Sequence, residues 1–185
     1  MAKRYEAIFA GIGGRGVLMA GQLLTHVGMH QYPHMLYFPS YGTEMRGGTS
    51  ECTVVLSEAA IGSPVLTQSD VLVIFDISQL KDFESRVKPG GVVILESSTL
   101  EESQGVTRDD VRVMKVPALK MAGELGDVRV TNLILLGAYI QASGVLSPDL
   151  IEAELEKRLV SRGEQHLLEM NTKAFRLGLK TAQGG

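Results

Sequence analysis

The sequence predicts an α/β domain with three layers, a mostly parallel sheet and a helical C-terminal part. Three observations predict this class. Short apolar runs alternate with amphipathic segments up to Val116, a glycine-rich turn follows the first run, and helical spacing dominates from Thr131 onward. Strands that alternate with helices along a chain are typical of a sheet covered by helices on both faces.

The first strand is predicted at Tyr5–Ala10, and the helix Gly16–Met29 follows it with apolar residues at helical spacing. The two central runs are apolar throughout, which is typical of parallel strands buried on both faces. The remaining predicted strands are His34–Phe38 (stopped by Pro39), Glu51–Ser57, Val71–Phe75, Val92–Leu95 and Val111–Val116.

The predicted helices differ in pattern. Thr131–Ser143 is apolar on most sides, so we expect a buried or interface helix with Asn132 as its N-cap. Ser147 and Pro148 suit the N-cap and first turn of the next helix. The other predictions are a helix at Ser78–Val87 closed by Pro89-Gly90-Gly91, helices at Ser147–Arg158 and Gly163–Leu179, loops at 39–50 and 97–110, and a single domain over 1–182.

Composition restricts the function. With 185 residues, 44% of them apolar, and a net charge of −3, the chain gives no case for a nucleic-acid partner. Its one cysteine, Cys52, cannot supply the roughly four thiolates of an iron–sulfur cluster. We expect no disulfide, no signal peptide, no membrane span and a cytoplasmic location.

The first glycine cluster, Gly11, Gly13, Gly14 and Gly16, contains G-x-G-x-x-G between a strand and a helix. The helix N-terminus could hold an anion, and Arg15 could add a charged donor. A nicotinamide site also needs an acid at the end of the second strand, and residues 36–40 contain none. The alternatives are a turn that only permits tight packing, or one that faces an anion or partner.

The second glycine cluster is a polar loop from Ser40 to Ser50. Its arginine offers a planar fork suited to carboxylate or phosphate, and its glycines let the backbone approach a ligand or another chain. We predict a site or interface here rather than an exposed loop with a surface ion pair. The candidate residues are Tyr41, Glu44, Arg46, Gly47 and Gly48.

Lesser candidates are weighed against ordinary structural roles. His26 and His30 could share a helix face, but no acid follows His26 as in a zinc protease, so a metal site is not predicted. Cys52 is expected to be a small core residue. Asp76 and Glu96 each end an apolar strand, and each could point into a crevice or cap the next helix.

Several segments in order resemble the gamma subunit of 2-oxoacid:ferredoxin oxidoreductases, in the 2-oxoglutarate or pyruvate branches. The similarity runs from about residue 4 to residue 145, and the pair of glycine motifs at this spacing carries it. The segments are Gly11-Ile12-Gly13-Gly14-Arg15-Gly16, Ser40-Tyr41-Gly42-x-Glu44-x-Arg46-Gly47-Gly48, Ser63-Pro64 and Asp70-Val71-Leu72-Val73.

The resemblance implies a Rossmann-like accessory domain in an enzyme that decarboxylates a 2-oxoacid oxidatively, passing the acyl group to coenzyme A and electrons to ferredoxin. Thiamine diphosphate, magnesium and iron–sulfur clusters would lie on alpha and beta subunits, or on a ferredoxin-like delta subunit. The isolated chain would be inactive and could form a homo-oligomer. The two glycine clusters would line the coenzyme A cleft, with Arg15 where the family usually has glutamine.

Two other functions stay open at this point. One is a self-contained nucleotide-binding oxidoreductase that uses the glycine turn. The other is a structural scaffold whose loops only contact partner chains.

Overall fold

Six strands form one sheet in the part of the chain that the computed structural model describes, residues 2–41, 48–63, 65–101 and 104–182. The strands are β1 (Arg4–Ile12), β2 (His34–Tyr41), β3 (Thr49–Ser57), β4 (Ser69–Ile74), β5 (Val87–Glu96) and β6 (Arg112–Val116). The helices are α1 (Val17–Gly28), α2 (Leu80–Phe83), α3 (Ala118–Leu125), α4 (Thr131–Ser143), α5 (Pro148–Ser161) and α6 (Leu168–Thr181).

The strand order is β2-β3-β1-β4-β5-β6. The pairings β1 with β4, β4 with β5 and β5 with β6 are parallel, whereas β3 runs antiparallel to both β1 and β2. The predicted α/β class with a mostly parallel sheet is therefore confirmed. Val71–Ile74 of β4 and Val93–Leu95 of β5 are buried as predicted, and Val92 is partly buried.

The position of β2 bears on nucleotide binding. In the dinucleotide-binding order, the second strand lies beside the first, so that its terminal acid reaches the ribose. Here β3 separates β2 from β1, and the end of β2 is displaced by one strand from the glycine turn. This geometry adds a second argument against a nicotinamide site.

Helices cover the two faces of the sheet unequally. One face packs against α1 and the C-terminal helices, and α4 contributes most of its side chains to this larger core. The other face carries a smaller core under the short helical segment between β4 and β5, where Leu80 and Phe83 are buried. Burial on both faces accounts for the unbroken apolar runs of β1, β4 and β5.

The end of β2 differs from its prediction. The strand does not stop at Phe38 but continues through Pro39 to Tyr41. β2 lies at the edge of the sheet. Proline is tolerated in an edge strand because the N–H that it lacks can be one that would face solvent rather than the neighbouring strand. The predicted loop is accordingly shorter, because β3 already begins at Thr49.

The segment between β4 and β5 is also less regular than predicted. Instead of one helix, it holds 3₁₀ turns at Ile77–Gln79 and Glu84–Arg86 on either side of the single turn of α2. Val87 already belongs to β5, and the pairing of β4 with β5 shifts register between Ser69 and Val71. The Pro-Gly-Gly sequence thus forms an irregular start of β5 rather than the end of a helix.

Three helical predictions need correction. Helix α3 was not predicted, because only Ala118 and Ala122 of it are buried and its apolar pattern is short. The N-cap position of α4 belongs to Val130, and Asn132 lies buried inside the first turn. The last helical region starts with a 3₁₀ turn at Gln165–Leu167 before α6. Ser147 and Pro148 do begin α5, although the Ser147 side chain makes no cap hydrogen bond.

Helices α4 and α6 cross at a close backbone contact. A Cβ atom on Gly137 would collide with the backbone oxygen of Phe175, and one on Gly178 would collide with that of Ile134. The two helices therefore approach through glycines on both sides. Among the described residues, no helix has the length and apolar content needed to cross a membrane.

Candidate functional site

The first glycine cluster forms the turn between β1 and α1. The backbone N–H of Arg15 donates to the carbonyl of Ile12 (3.3 Å), and both Gly14 (φ 93°) and Gly16 (φ 75°) have left-handed backbones. Such angles strain any residue with a side chain, so the turn requires glycine at these two positions. Gly13, Gly14 and Arg15 are exposed at the carboxyl end of β1.

The glycines of this turn have different surroundings. A Cβ on Gly11 would lie 2.8 Å from the Cβ of Phe75, so Gly11 permits close packing inside the fold. A Cβ on Gly14 would meet nothing within 4 Å. Packing therefore explains Gly11, whereas Gly14 borders open space where another molecule could approach the backbone.

The N-terminus of α1 suits an anion. Among the described residues no side-chain hydrogen bond caps it, and its first turn contains no acid. The first amides of a helix have no partner within the helix and carry a partial positive charge. Beside them, the Arg15 side chain is 40% exposed. The combination provides backbone donors and a guanidinium on one surface.

The second glycine cluster reaches the first through the backbone. The N–H of Gly13 donates to the carbonyl of Gly48 (3.0 Å), and Gly11 pairs with Ser50 across β1 and β3. Gly48 of the second cluster therefore lies directly beside the first cluster. The backbone of Tyr41 ends β2, but its side chain and residues Glu44, Arg46 and Gly47 lie outside the described part of the chain.

Asp76 follows β4 and faces the turn. Its Oδ2 lies 3.4 Å from Nη2 of Arg15. Its Oδ1 accepts hydrogen bonds from the backbone N–H and the hydroxyl of Ser78 at 3.2 and 2.8 Å. The capping role considered for Asp76 is confirmed at the following 3₁₀ turn, and Asp76 also pairs with Arg15.

Glu96 ends β5 and is almost fully buried. Its Oε1 accepts from the backbone N–H of Ser98 (3.0 Å), from the Ser98 hydroxyl and from the backbone N–H of Leu119 (3.1 Å). The last of these contacts caps α3, so an internal carboxylate already occupies this helix N-terminus. Among the described residues, a carboxylate therefore caps the N-terminus of α3, whereas none caps the N-terminus of α1, where an anionic ligand could bind.

The space between these groups is small. Arg15, Asp76, Glu96 and Thr131 help to enclose a cavity of about 20 Å³, which is room for one water molecule. A ligand would therefore lie on the outer surface of the glycine turn rather than inside the sheet end.

Two contacts at this edge were not predicted. The amide nitrogen of Asn132 lies 3.5 Å from the carbonyl of Gly16, and the Thr49 hydroxyl donates to Oε1 of Gln79 (2.9 Å). Asn132 and Gln79 belong to no motif, and both contacts join segments distant in sequence. Only the fold brings them to the turn.

The lesser candidates have structural roles. Nε2 of His26 lies 3.3 Å from Oε1 of Glu154, which also accepts from Arg158. Among the described residues no group of three or more acids, histidines or cysteines is placed to hold a metal ion. Cys52 is a buried core residue as predicted, and burial raises the pKa of its thiol to about 12.

Residues 6–181 match the family described as pyruvate ferredoxin/flavodoxin oxidoreductase. The chain belongs to that family. The 2-oxoglutarate synthase subunit KorC of Methanothermobacter marburgensis is 31% identical to it over 187 residues, covering 98% of both chains. The ketoisovalerate oxidoreductase subunit VorA of the same organism is 34% identical over 174 residues. That alignment covers 94% of this chain and 36% of VorA, so the chain spans about a third of VorA's length.

Solved structures share the fold. The gamma subunit of a keto/oxoacid ferredoxin oxidoreductase from Geobacter sulfurreducens superposes with a TM-score of 0.80 at 26% identity, over 98% of this chain and 99% of that one. A 2-oxoglutarate:ferredoxin oxidoreductase from Magnetococcus marinus, with 2-oxoglutarate, coenzyme A and succinyl-CoA bound, gives 0.89 at 21% identity. It aligns with 99% of this chain, which covers 32% of that protein.

Proposed function

We propose that the chain is the gamma subunit of a 2-oxoacid:ferredoxin oxidoreductase. The complex decarboxylates a 2-oxoacid oxidatively, transfers the acyl group to coenzyme A and passes the electrons to ferredoxin. The observation that carries this proposal is the 31% identity with a KorC subunit over 98% of both chains. We also propose that residues 1–182 act as one domain, which the family match over 6–181 supports.

The glycine turn forms one wall of the coenzyme A cleft in this proposal. The open end of α1, the exposed backbone at Gly14 and the Arg15 guanidinium together receive a phosphate group. Gly48, from the second glycine cluster, adjoins the same surface. The further residues proposed for this wall are Gly11, Gly13, Gly16, Tyr41, Glu44, Arg46 and Gly47.

The redox and carbanion chemistry belongs to partner subunits. The only cysteine of the chain is buried, and burial raises the pKa of its thiol to about 12, so it does not fit a cluster ligand. As the family resemblance implies, we propose that thiamine diphosphate, magnesium and the iron–sulfur clusters reside on alpha and beta subunits, or on a delta subunit, in the cytoplasm. This chain contributes backbone amides and Arg15, and without its partners it is inactive.

The test uses the assembled complex. The chain is co-expressed with the products of its neighbouring genes, the complex is isolated, and reduction of ferredoxin is measured against coenzyme A concentration. For Arg15→Gln we expect the KM for coenzyme A to rise about 3- to 10-fold, the loss of one partly exposed charged hydrogen bond, with kcat nearly unchanged. The control is Arg176→Gln, whose side chain is 61% exposed and pairs with Glu152 of α5.

Three outcomes separate the hypotheses. If the chain neither copurifies with these subunits nor supports turnover, the proposed function is wrong. If the complex turns over and Arg15→Gln leaves the KM unchanged, the site is wrong and a scaffold role is favoured. Saturable binding of NAD(P) by the isolated chain would favour the nucleotide-binding alternative.

A further inference from the structure

Asn132 is an unusual residue for its place in the fold. It lies in the first turn of α4, its side chain is 1% exposed, and it packs directly beneath Gly16. A Cβ atom on Gly16 would lie 2.6 Å from Nδ2 of Asn132. Among the buried side-chain atoms described, Oδ1 of Asn132 is left without a hydrogen-bond partner.

The orientation of this amide follows from its neighbour. Nδ2 lies 3.5 Å from the carbonyl oxygen of Gly16, a long hydrogen bond. The opposite orientation would set the amide oxygen against another acceptor. The same Gly16 carbonyl also accepts from the backbone N–H of Ala20 (3.1 Å), the first hydrogen bond of α1. The Gly16 carbonyl therefore accepts hydrogen bonds both from the Asn132 side chain and from the backbone of α1.

Holding this carbonyl has a consequence for the adjoining amide. A trans peptide is planar, and its C=O and N–H groups point in opposite directions. Because the Gly16 carbonyl points into the helix and toward Asn132, the N–H of Val17 points outward from the end of α1. Val17 is the first residue of α1, so this N–H has no partner within the helix.

Stability alone does not account for an asparagine here. A buried acceptor without a partner is a cost to the folded state, and an apolar side chain of similar volume would avoid it. Groups that are unsatisfied in this way call for a specific explanation. The contact of Nδ2 with the Gly16 carbonyl links the Asn132 side chain to the exposed turn.

We propose that Asn132 is a positioning residue for the glycine turn: its amide holds the Gly16 carbonyl and thereby aims the Val17 N–H at the anionic group bound there. The inference rests on the proposed function for the identity of that group, a phosphate of coenzyme A. Asn132 touches no ligand itself, and it acts through the peptide between Gly16 and Val17.

The test replaces the amide in the assembled complex and in the full-length chain. For Asn132→Leu we expect the KM for coenzyme A to rise about 3- to 10-fold, the loss of about one hydrogen bond, with kcat nearly unchanged, while the urea midpoint of the chain is unchanged or higher. Asn132→Asp keeps the size but loses the donor, so it should raise the KM and lower the urea midpoint. In the isolated chain, inorganic pyrophosphate should shift the NMR signals of the Val17 amide in the wild type and much less in both variants.

The control is Ile134→Val, which removes one buried methylene from α4 without touching the turn. It should lower the urea midpoint and leave the KM and the pyrophosphate response unchanged. If the wild type responds to both ligands and Asn132→Leu responds equally, the positioning role is overturned while the proposed function stands. If the wild type shows neither coenzyme A dependence nor a pyrophosphate response, both are overturned.

Discussion

At the residue scale, side chains that look alike in the sequence have different tasks in the fold. Gly11 and Gly14 belong to one motif, yet the first gives room to Phe75 and the second borders open space. Asp76 and Glu96 both end strands, but only Asp76 pairs with an arginine of the turn. The sequence identifies the candidate residues, and their surroundings in the fold distinguish those that pack inside it from those that border the candidate binding surface.

Cys52 gives a prediction at this scale. Its thiol is buried against α1, with Sγ 3.7 Å from the carbonyl of Val17, and burial raises its pKa to about 12. We therefore expect the native chain at pH 8 to react with a thiol-specific disulfide reagent at least 100-fold more slowly than the chain unfolded in urea, because the thiolate is the reactive form. Rapid labelling of the native chain would contradict this.

The same thiol should affect stability in alkali. The unfolded thiol ionises near pH 8.5, whereas the folded thiol stays protonated until about pH 12. The contribution of this thiol to the free energy of unfolding is thus fully present below about pH 8.5 and is lost as the pH rises toward 12. A Cys52→Ala variant should lose less free energy of unfolding than the wild type between pH 8 and pH 10.

At the element scale, strands and helices with long, uniform apolar patterns were predicted well, and those with short patterns were predicted poorly. The buried strands β4 and β5 and the apolar helix α4 were identified because burial on all sides leaves unbroken apolar runs. Helix α3 has too few buried residues for a clear period, and the segment over 77–86 alternates between helix types. β2 continued past Pro39 because it lies at an edge.

Two glycines in helices give a matched prediction. A Cβ atom on Gly123 of α3 would meet nothing within 4 Å, and the backbone there is ordinary helix, so Gly123→Ala should stabilise the chain by about 0.5–1 kcal/mol. Gly137→Ala should destabilise it by about 1–3 kcal/mol, since a Cβ there meets the backbone of α6 and forces the helices apart. Urea unfolding of both variants measures the difference, and equal effects would show that the α4–α6 crossing does not need Gly137.

At the scale of the whole molecule, the two ends of the sheet carry different groups. The carboxyl ends of β1 and β4 carry the glycine turn and Asp76. The opposite end holds an ion network in which Lys88 contacts Glu6 and Asp70, both at 2.6 Å, and Arg4 contacts Glu6 at 2.6 Å. The network ties β1, β4 and β5 together at the end away from the candidate site.

This network predicts acid sensitivity. Burial by itself raises the pKa of the Glu6 carboxyl, but hydrogen bonds and charges from Lys88 and Arg4 outweigh it and hold the pKa below its ordinary value. The stability that Glu6 contributes is therefore present above the unfolded pKa of about 4.3 and is lost as the pH falls through the lower folded value. Between pH 6 and pH 3, Glu6→Gln should lose less free energy of unfolding than the wild type.

The control for this prediction is Glu169→Gln. Glu169 pairs with Lys173 on the surface of α6, and its side chain is 80% exposed, so solvent screens the pair and its removal should change little. An acid dependence of Glu6→Gln identical to that of the wild type would show that the network does not stabilise the fold.

The sequence by itself determined the fold class, most of the strands, the turn between β1 and α1, and the family resemblance. These depend on local features: apolar runs, helical spacing, and glycines at fixed offsets. Only the tertiary structure decided that β3 separates β1 from β2, that Gly13 bonds to Gly48, that a carboxylate fills the end of α3 while α1 stays open, and that Asn132 lies under Gly16. Each of these joins residues far apart along the chain, because strand order and helix packing are settled by the burial of whole faces, which no local pattern records.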